Sequence, residues 1–180
     1  MRTLLTWLLL ALPLTSFSQR YFTKTGEIDF KAGTPLEDID AVNKSVSSVL
    51  DVATGQIEFA LLVKSFEFRR GLMQEHFNEN YMESSKFPKS VFVGTSPELT
   101  KLDLKKDGSY QVSVMGTLEV HGVSKALTIP ATIRIQDGRI SASAVFSVEV
   151  ADFNIQIPGA VKDKIAKTVV VTVNGQYQPL

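Results

Sequence analysis

Residues 108–150 read GSYQVSVMGTLEVHGVSKALTIPATIRIQDGRISASAVFSVEV, and apolar and polar side chains alternate through three successive runs. Tyr110, Val112, Val114, Gly116, Leu118 and Val120 share one parity, against Gln111, Ser113, Met115, Thr117 and Glu119. After a turn at His121-Gly122 the pattern resumes with Leu127, Ile129, Ala131, Ile133 and Ile135. It resumes again after Asp137-Gly138 with Ile140, Ala142, Ala144, Phe146, Val148 and Val150. A period of two places each apolar set on one face of a strand. Asp-Gly between two alternating runs is the signal of a type I′ hairpin. Three long antiparallel strands with one apolar face are therefore predicted here, and the fold must supply something to cover that face.

The flanking chain supplies more of the same. Ile28, Phe30 and Ala32 alternate with Glu27, Asp29 and Lys31, and Gly33-Thr34-Pro35 ends that strand. Thr34, Pro35 and Glu37 also have the spacing of a capping box, so 34–43 reads as a short helix or an ordered loop. Val46, Leu50 and Val52 mark a second strand, closed by Ala53-Thr54-Gly55. Ile57, Phe59, Leu61 and Val63 share a face, whereas Phe66 and Phe68 have the opposite parity. A bulge near Lys64-Ser65, or burial on both faces, would reconcile the two sets. Residues 72–83 carry Met73, Phe77 and Tyr81 at helical spacing, with Glu75, Asn78 and Glu79 opposite, and Lys86-Phe87-Pro88 stops that helix. Strands are expected at Val91–Val93 and at Leu99–Leu104, with a hairpin turn at Lys106-Asp107-Gly108. Val169, Val171 and Val173 close the chain. The count is about eight strands and one or two short helices, an all-β chain. Strands this long favour a single antiparallel barrel, because closure removes exposed edges.

Composition narrows the function. The chain has 180 residues, 19 Lys+Arg against 19 Asp+Glu, 44% hydrophobic residues and no cysteine. One domain is the expectation at that length. Zero net charge argues against a polyanion-binding surface, hence against nucleic acid as a partner. The missing cysteines exclude a disulfide scaffold, a thiolate nucleophile and Cys-ligated metal centres. Residues 1–18 read as a cleavable signal peptide: Arg2, an apolar run from Leu4 to Leu14, and Ser16 and Ser18 before a cut at Gln19. About eleven apolar residues are too short to span a ~30 Å hydrocarbon core, so no stable membrane anchor is expected. Seven of the 18 leucines fall in that leader, which leaves 11 Leu against 19 Val in residues 19–180 and strengthens the strand reading. The product is expected in the periplasm or secreted.

Chemistry-bearing motifs are scarce. His76 and His121 are far apart, and neither has a neighbouring Cys or His to complete a metal site. Gly94-Thr95-Ser96-Pro97-Glu98 lacks the final Gly of a nucleophile elbow, so no catalytic residue, metal site or cofactor is assigned. Glu37, Asp38 and Asp40 form an acidic patch without calcium-loop spacing, and Asn43-Lys44-Ser45 is a formal glycosylation sequon. The inward faces offer apolar residues instead. Gly116, Ala131, Ala142 and Ala144 are small where a filled core would take Leu or Ile, so the interior is either a ligand cavity or a tapered, filled core.

His76-Phe77-Asn78-Glu79-Asn80-Tyr81-Met82-Glu83-Ser84-Ser85-Lys86-Phe87-Pro88, followed by Val91-Phe92-Val93-Gly94, resembles the signature of the YceI-like family. Leu118-Glu119-Val120-His121-Gly122-Val123-Ser124-Lys125 is similar to that family's His-Gly-Val-Thr-Lys hairpin, and Asp152-Phe153-Asn154-Ile155 to its late Asp-Phe-Gly-Ile motif. Two positions depart from the pattern: Met73-Gln74 replaces an Arg-Asp pair before the helix His, and Ala151 replaces an Arg before the late motif. The resemblance covers nearly all of residues 19–180. It implies a lipocalin-like barrel, exported in bacteria, that holds polyisoprenoid or other long-chain amphiphilic lipid in its interior without catalysing a reaction.

Parity then selects Phe59, Leu61, Val112, Val114, Ala142, Ala144 and Phe146 as the lining of that interior. Met73, His76, Phe77, Tyr81 and His121 are candidates at the helix and mouth. Two other functions remain open. One is a structural or protein-interaction barrel with a filled core. The other, ranked lower, is an extracytoplasmic enzyme on a lipid-like substrate using His76 or His121 as a base. Monomer and homodimer are equally compatible with the sequence.

Overall fold

The computed structural model describes residues 19–180. The leader assigned above, residues 1–18, lies outside them. Nine strands follow in order: β1 (Arg20–Gly33), β2 (Asp40–Asp51), β3 (Gln56–Leu62), β4 (Glu67–Phe68), β5 (Lys89–Thr95), β6 (Gly108–Val120), β7 (Val123–Gln136), β8 (Arg139–Glu149) and β9 (Ile165–Pro179). The sheet order is β1-β9-β8-β7-β6-β5-β3-β2, and β1 pairs with β2 to close it. All pairings are antiparallel, so eight strands form a closed barrel, and β4 adds two residues beside the far end of β2.

The β6–β8 meander has the register that its alternation demands. Val120 faces Val123 across His121-Gly122, and Gln136 faces Arg139 across Asp137-Gly138. Both two-residue turns have positive φ throughout: 52° and 71° in the first, 51° and 72° in the second. That is the backbone of a type I′ turn, whose twist matches the flanking strands.

Elsewhere the chain differs in instructive ways. β1 begins at Arg20, well before the alternating run, because register shifts around Gly26 break its period. A Cβ on Gly26 would lie 3.1 Å from the Val46 carbonyl oxygen, so the bulge depends on that close approach. Residues 34–37 form a tight turn and not a helix: Thr34 and Glu37 exchange backbone hydrogen bonds, and Thr34 Oγ1 also accepts from Leu36 N. A 3-10 turn at Val63–Ser65 resets the parity, which brings Phe66 and Phe68 inward beside Phe59 and Leu61.

The expected strand at Leu99–Leu104 is not formed. Leu99–Lys101 is a 3-10 turn followed by irregular chain, since its backbone groups are satisfied locally. Leu102 N donates to Leu99 O, Thr100 Oγ1 to Pro97 O, and Lys105 N to Asp103 Oδ1. Fully buried Leu99, with Leu102 and Leu104 against it, plugs the barrel end instead. Lys106-Asp107-Gly108 accordingly leads into β6 and does not join two strands. The sequon residue Asn43 is also fully buried, donating to Leu62 O and accepting from Ser45 N, which leaves its amide no access for a glycan.

The interior is divided along its length. At one end Leu50, Val52, Leu99, Val112, Ile135, Ile140 and Tyr177 pack into a continuous core. Tyr177 OH lies 2.7 Å from Ser48 Oγ across it, so the buried hydroxyls satisfy each other. Phe92 roofs this end: its ring would be 2.6 Å from a Cβ on Gly116 and 2.8 Å from one on Gly94, which are cross-strand partners. Gly116 therefore makes room for a phenyl ring, and not for the cavity expected from its small size.

Candidate functional site

Beyond Phe92 the barrel is hollow. A cavity of about 550 Å³ occupies the half that carries the 34–39 loop, the helix after β4 and the 150–164 connection. Ala131, Ala142 and Ala144 form a patch of small residues on β7 and β8, where Ala131 faces Ala144 across the ladder. Val114, Phe146, Val171 and Val173 carry the wall around, and the opposite wall is Ile28, Phe30, Phe59 and Leu61. The packed core closes the other end, so the cavity is blind and not a tunnel.

The helix Gly71–His76 continues as a π-turn over Phe77–Tyr81 and lies across the open end. Leu72, Met73, His76, Phe77 and Tyr81 all line the cavity, while Glu75, Asn78 and Glu79 do not. Phe77 docks it. Its ring stacks on Phe30 at 5.5 Å between centroids and meets Phe66 at 5.6 Å and Phe68 at 5.0 Å. Such pairs contribute about 0.5–1.5 kcal/mol each beyond area burial. No residue of the helix or its π-turn is itself fully buried.

Of the sequence-selected lining residues, Phe59, Leu61, Val114, Ala142, Ala144 and Phe146 are on the cavity wall. Val112 is not. It points inward one inward-facing position beyond Val114, below the Phe92 roof, and belongs to the packed core. Of the mouth candidates, Met73, His76, Phe77 and Tyr81 reach the cavity and His121 does not. His121 Nδ1 is 3.0 Å from Phe153 O, and Nε2 is 2.8 Å from a Glu83 carboxylate oxygen. Its ring meets Phe87 edge-on at 4.6 Å, and Gly122 sits so close to Phe87 that a Cβ would come within 2.5 Å of it. Lys125 and Asp152 pair at 3.7 Å alongside. The three motifs read from the sequence thus converge on one clasp that ties the β6–β7 turn to the segment after the helix and to the 3-10 turn Val150–Phe153. Both ring nitrogens of His121 thus face protein oxygens, and the residue does not line the cavity.

Phe66 and Phe68 also line the cavity, because the turn at Val63–Ser65 restores the register where the sequence offered a bulge, whereas Ile157 and Val161 lie in a connection without period and carried no readable signal. Polar side chains are few. Glu37, Arg70 and Lys164 border the cavity together: Arg70 Nη2 is 2.7 Å from Glu37 Oε1, and Lys164 Nζ is 3.7 Å from Glu37 Oε2. Arg70 and Lys164 are more than half exposed, as is Leu72, so this corner is where the cavity meets solvent. The rest of the acidic patch, Asp38 and Asp40, pairs with Arg69 on the outer side.

Comparison with known proteins gives a consistent result. A family model described as YceI-like domain matches residues 17–177. No curated protein sequence matches. Among solved structures, a polyisoprenoid binding domain from Saccharophagus degradans superposes with a TM-score of 0.78 at 14% identity, covering 90% of this chain and 99% of that one. Burkholderia cenocepacia BcnA gives 0.70 at 14% identity, over 85% and 96% of the two chains. A Campylobacter jejuni YCEI protein gives 0.53 at 18% identity, over 76% and 83%. At these identities the likeness is one of fold.

Proposed function

The chain belongs to the YceI-like family, and from that premise and its half-hollow barrel we propose that it is an exported, non-catalytic binding protein for the apolar chain of a polyisoprenoid or similar long-chain amphiphile. The observation that carries the proposal is the blind cavity of about 550 Å³, walled almost wholly by aliphatic and aromatic side chains. That volume lies within the ~300–1,000 Å³ of small-molecule sites. Each buried methylene contributes about 0.8 kcal/mol, so a chain threaded past Phe59, Leu61 and Phe146 binds without a charged partner. The Saccharophagus neighbour, described as polyisoprenoid-binding, supports the ligand class. The leader at residues 1–18 supports export.

A filled-core interaction module has the packed half of the barrel in its favour, but a hollow of this size beside that core is a poor use of apolar residues unless something fills it. The enzyme reading needs a free base. His121 is committed to the clasp, and a lone His76 on the exposed side of the mouth has no orienting partner among the described residues.

The test is to express the chain with its own leader, isolate it from the periplasm and analyse an organic extract by mass spectrometry. The expected result is a protein beginning at Gln19 that carries about one long-chain lipid. A lipid-free extract, together with no uptake of a fluorescent isoprenoid, would refute the proposal.

A further inference from the structure

We infer that Arg70 and Lys164, set on either side of Glu37, form a head-group site that selects amphiphiles ending in an anionic oxygen cluster, a carboxylate or a phosphate, over neutral ones. The inference rests on the chain-binding reading above and adds the polar end of the ligand.

Three observations carry it. First, the Asp, Glu, Lys and Arg side chains on the cavity wall are confined to this corner; elsewhere the wall is apolar apart from His76, Tyr81, Ser90 and Ser143, so a charged head group finds its cations here and the tail has the rest of the interior. Second, the corner is where the wall meets solvent, since Arg70 and Lys164 line the cavity and are yet 62% and 54% exposed at their side chains. A head group held there keeps part of its hydration, which burial deeper in the barrel would remove. Third, the charge does not balance. One carboxylate serves two cations, with Arg70 on Oε1 at 2.7 Å and Lys164 on Oε2 at 3.7 Å. Glu37 cannot neutralise both, and among the described residues its two oxygens are the only acceptors recorded for the Arg70 guanidinium and the Lys164 ammonium, which leaves further donors unused on two residues that line the cavity.

Glu37 is the least exposed of the three, at 19%, and sits between the cations as a spacer. Its partners come from separate elements. Glu37 is in the β1–β2 loop, Arg70 precedes the helix, and Lys164 precedes β9. The loops are tied: Thr34 Oγ1 donates to Asp163 O at 2.8 Å, which fixes the Glu37 turn against the Lys164 segment. The site is therefore held by the fold and does not depend on two free side chains meeting. Charge-assisted hydrogen bonds to a guanidinium and an ammonium are the strong kind, and Arg in particular matches a two-oxygen acceptor.

The experiment is displacement of the neutral dye Nile red from the purified mature protein by palmitate, hexadecyl phosphate and 1-hexadecanol, with inorganic phosphate as a head without a tail. The wild type should bind palmitate and hexadecyl phosphate at least tenfold more tightly than hexadecanol, and the ratio should shrink as salt is raised. In Arg70→Gln/Lys164→Gln the ratio should fall to about one. In Glu37→Gln it should rise severalfold, because the competing carboxylate is gone, a gain that a merely structural rim ion pair would not produce. Inorganic phosphate alone should displace nothing. Palmitate and hexadecanol competing equally in the wild type, or an unaltered ratio in the double variant, would overturn the inference while leaving chain binding intact. Failure of every amphiphile to compete, with no Nile red uptake, would overturn the chain-binding reading and this one with it.

Discussion

Tyr177 shows at the scale of one residue how the packed half of the barrel is held. Its hydroxyl crosses the interior to Ser48 at 2.7 Å, and burial pushes its phenol up to about 12 from the usual 10, against the opposing effect of the Ser48 bond. Tyr177→Phe should cost about 1–2 kcal/mol at neutral pH, because Ser48 is left buried without a partner. The pH dependence has a definite sign. The unfolded chain loses this proton near pH 10 and the folded chain near 12. The stability tied to the protonated ring is thus complete below pH 10 and is lost as pH rises to 12, about 3 kcal/mol in all. Urea unfolding of both proteins between pH 8 and 12 should show the wild-type advantage shrinking and then reversing across that window, whereas a constant difference would contradict the assignment. Alternation along β9 placed Val169, Val171 and Val173 inside but did not show that Tyr177 would find Ser48, which is 129 positions away. Gly116 was legible as a gap and misleading as to what fills it, because the Phe92 ring comes from a different strand.

At the scale of elements, period decided what could be read. β6, β7 and β8 alternate without interruption over their inward faces, so the strands, their inward faces and the two turns followed from the sequence, although β7 starts at Val123, before Leu127, and β8 stops at Glu149, where Val150 enters a 3-10 turn. The helix was legible from Met73, Phe77 and Tyr81, although its second half is a π-turn. Leu99, Leu102 and Leu104 were not, since a plug of three leucines in irregular chain has the same local composition as a short strand. The helix is also weakly secured. It has no fully buried residue, and the Asn78 Oδ1 within it is buried without a hydrogen-bond partner. Local opening from such a segment has a lower free energy than global unfolding. Amide exchange should accordingly be faster over residues 71–81 than over β6–β8. Phe77→Ala, which removes the ring that Phe30, Phe66 and Phe68 surround, should accelerate it further and speed ligand release, while exchange in β6–β8 changes little. Equal acceleration in both regions would mean that the helix is part of the global unit and not a lid upon it.

The whole molecule is a closed eight-stranded barrel, packed at one end and hollow at the other, and that division is what the sequence concealed. Inward residues are apolar in both halves, so Val112 and Val114 look alike although only Val114 reaches the cavity. The small residues Ala131, Ala142 and Ala144 were the legible part of the hollow. The illegible part was the 150–164 connection and the corner of Glu37, Arg70 and Lys164, which come together only when three loops converge. The central claim is that the hollow half is the binding site, and Ala144→Phe tests it most directly by placing a ring inside the cavity, away from the mouth. Titration of wild type and variant with cis-parinaric acid, followed by fluorescence and checked by thermal unfolding, should give one site in the wild type and at least a tenfold loss of affinity in a folded Ala144→Phe protein. Undiminished binding by that folded variant would contradict the account, since the chain would then be held somewhere other than inside the barrel.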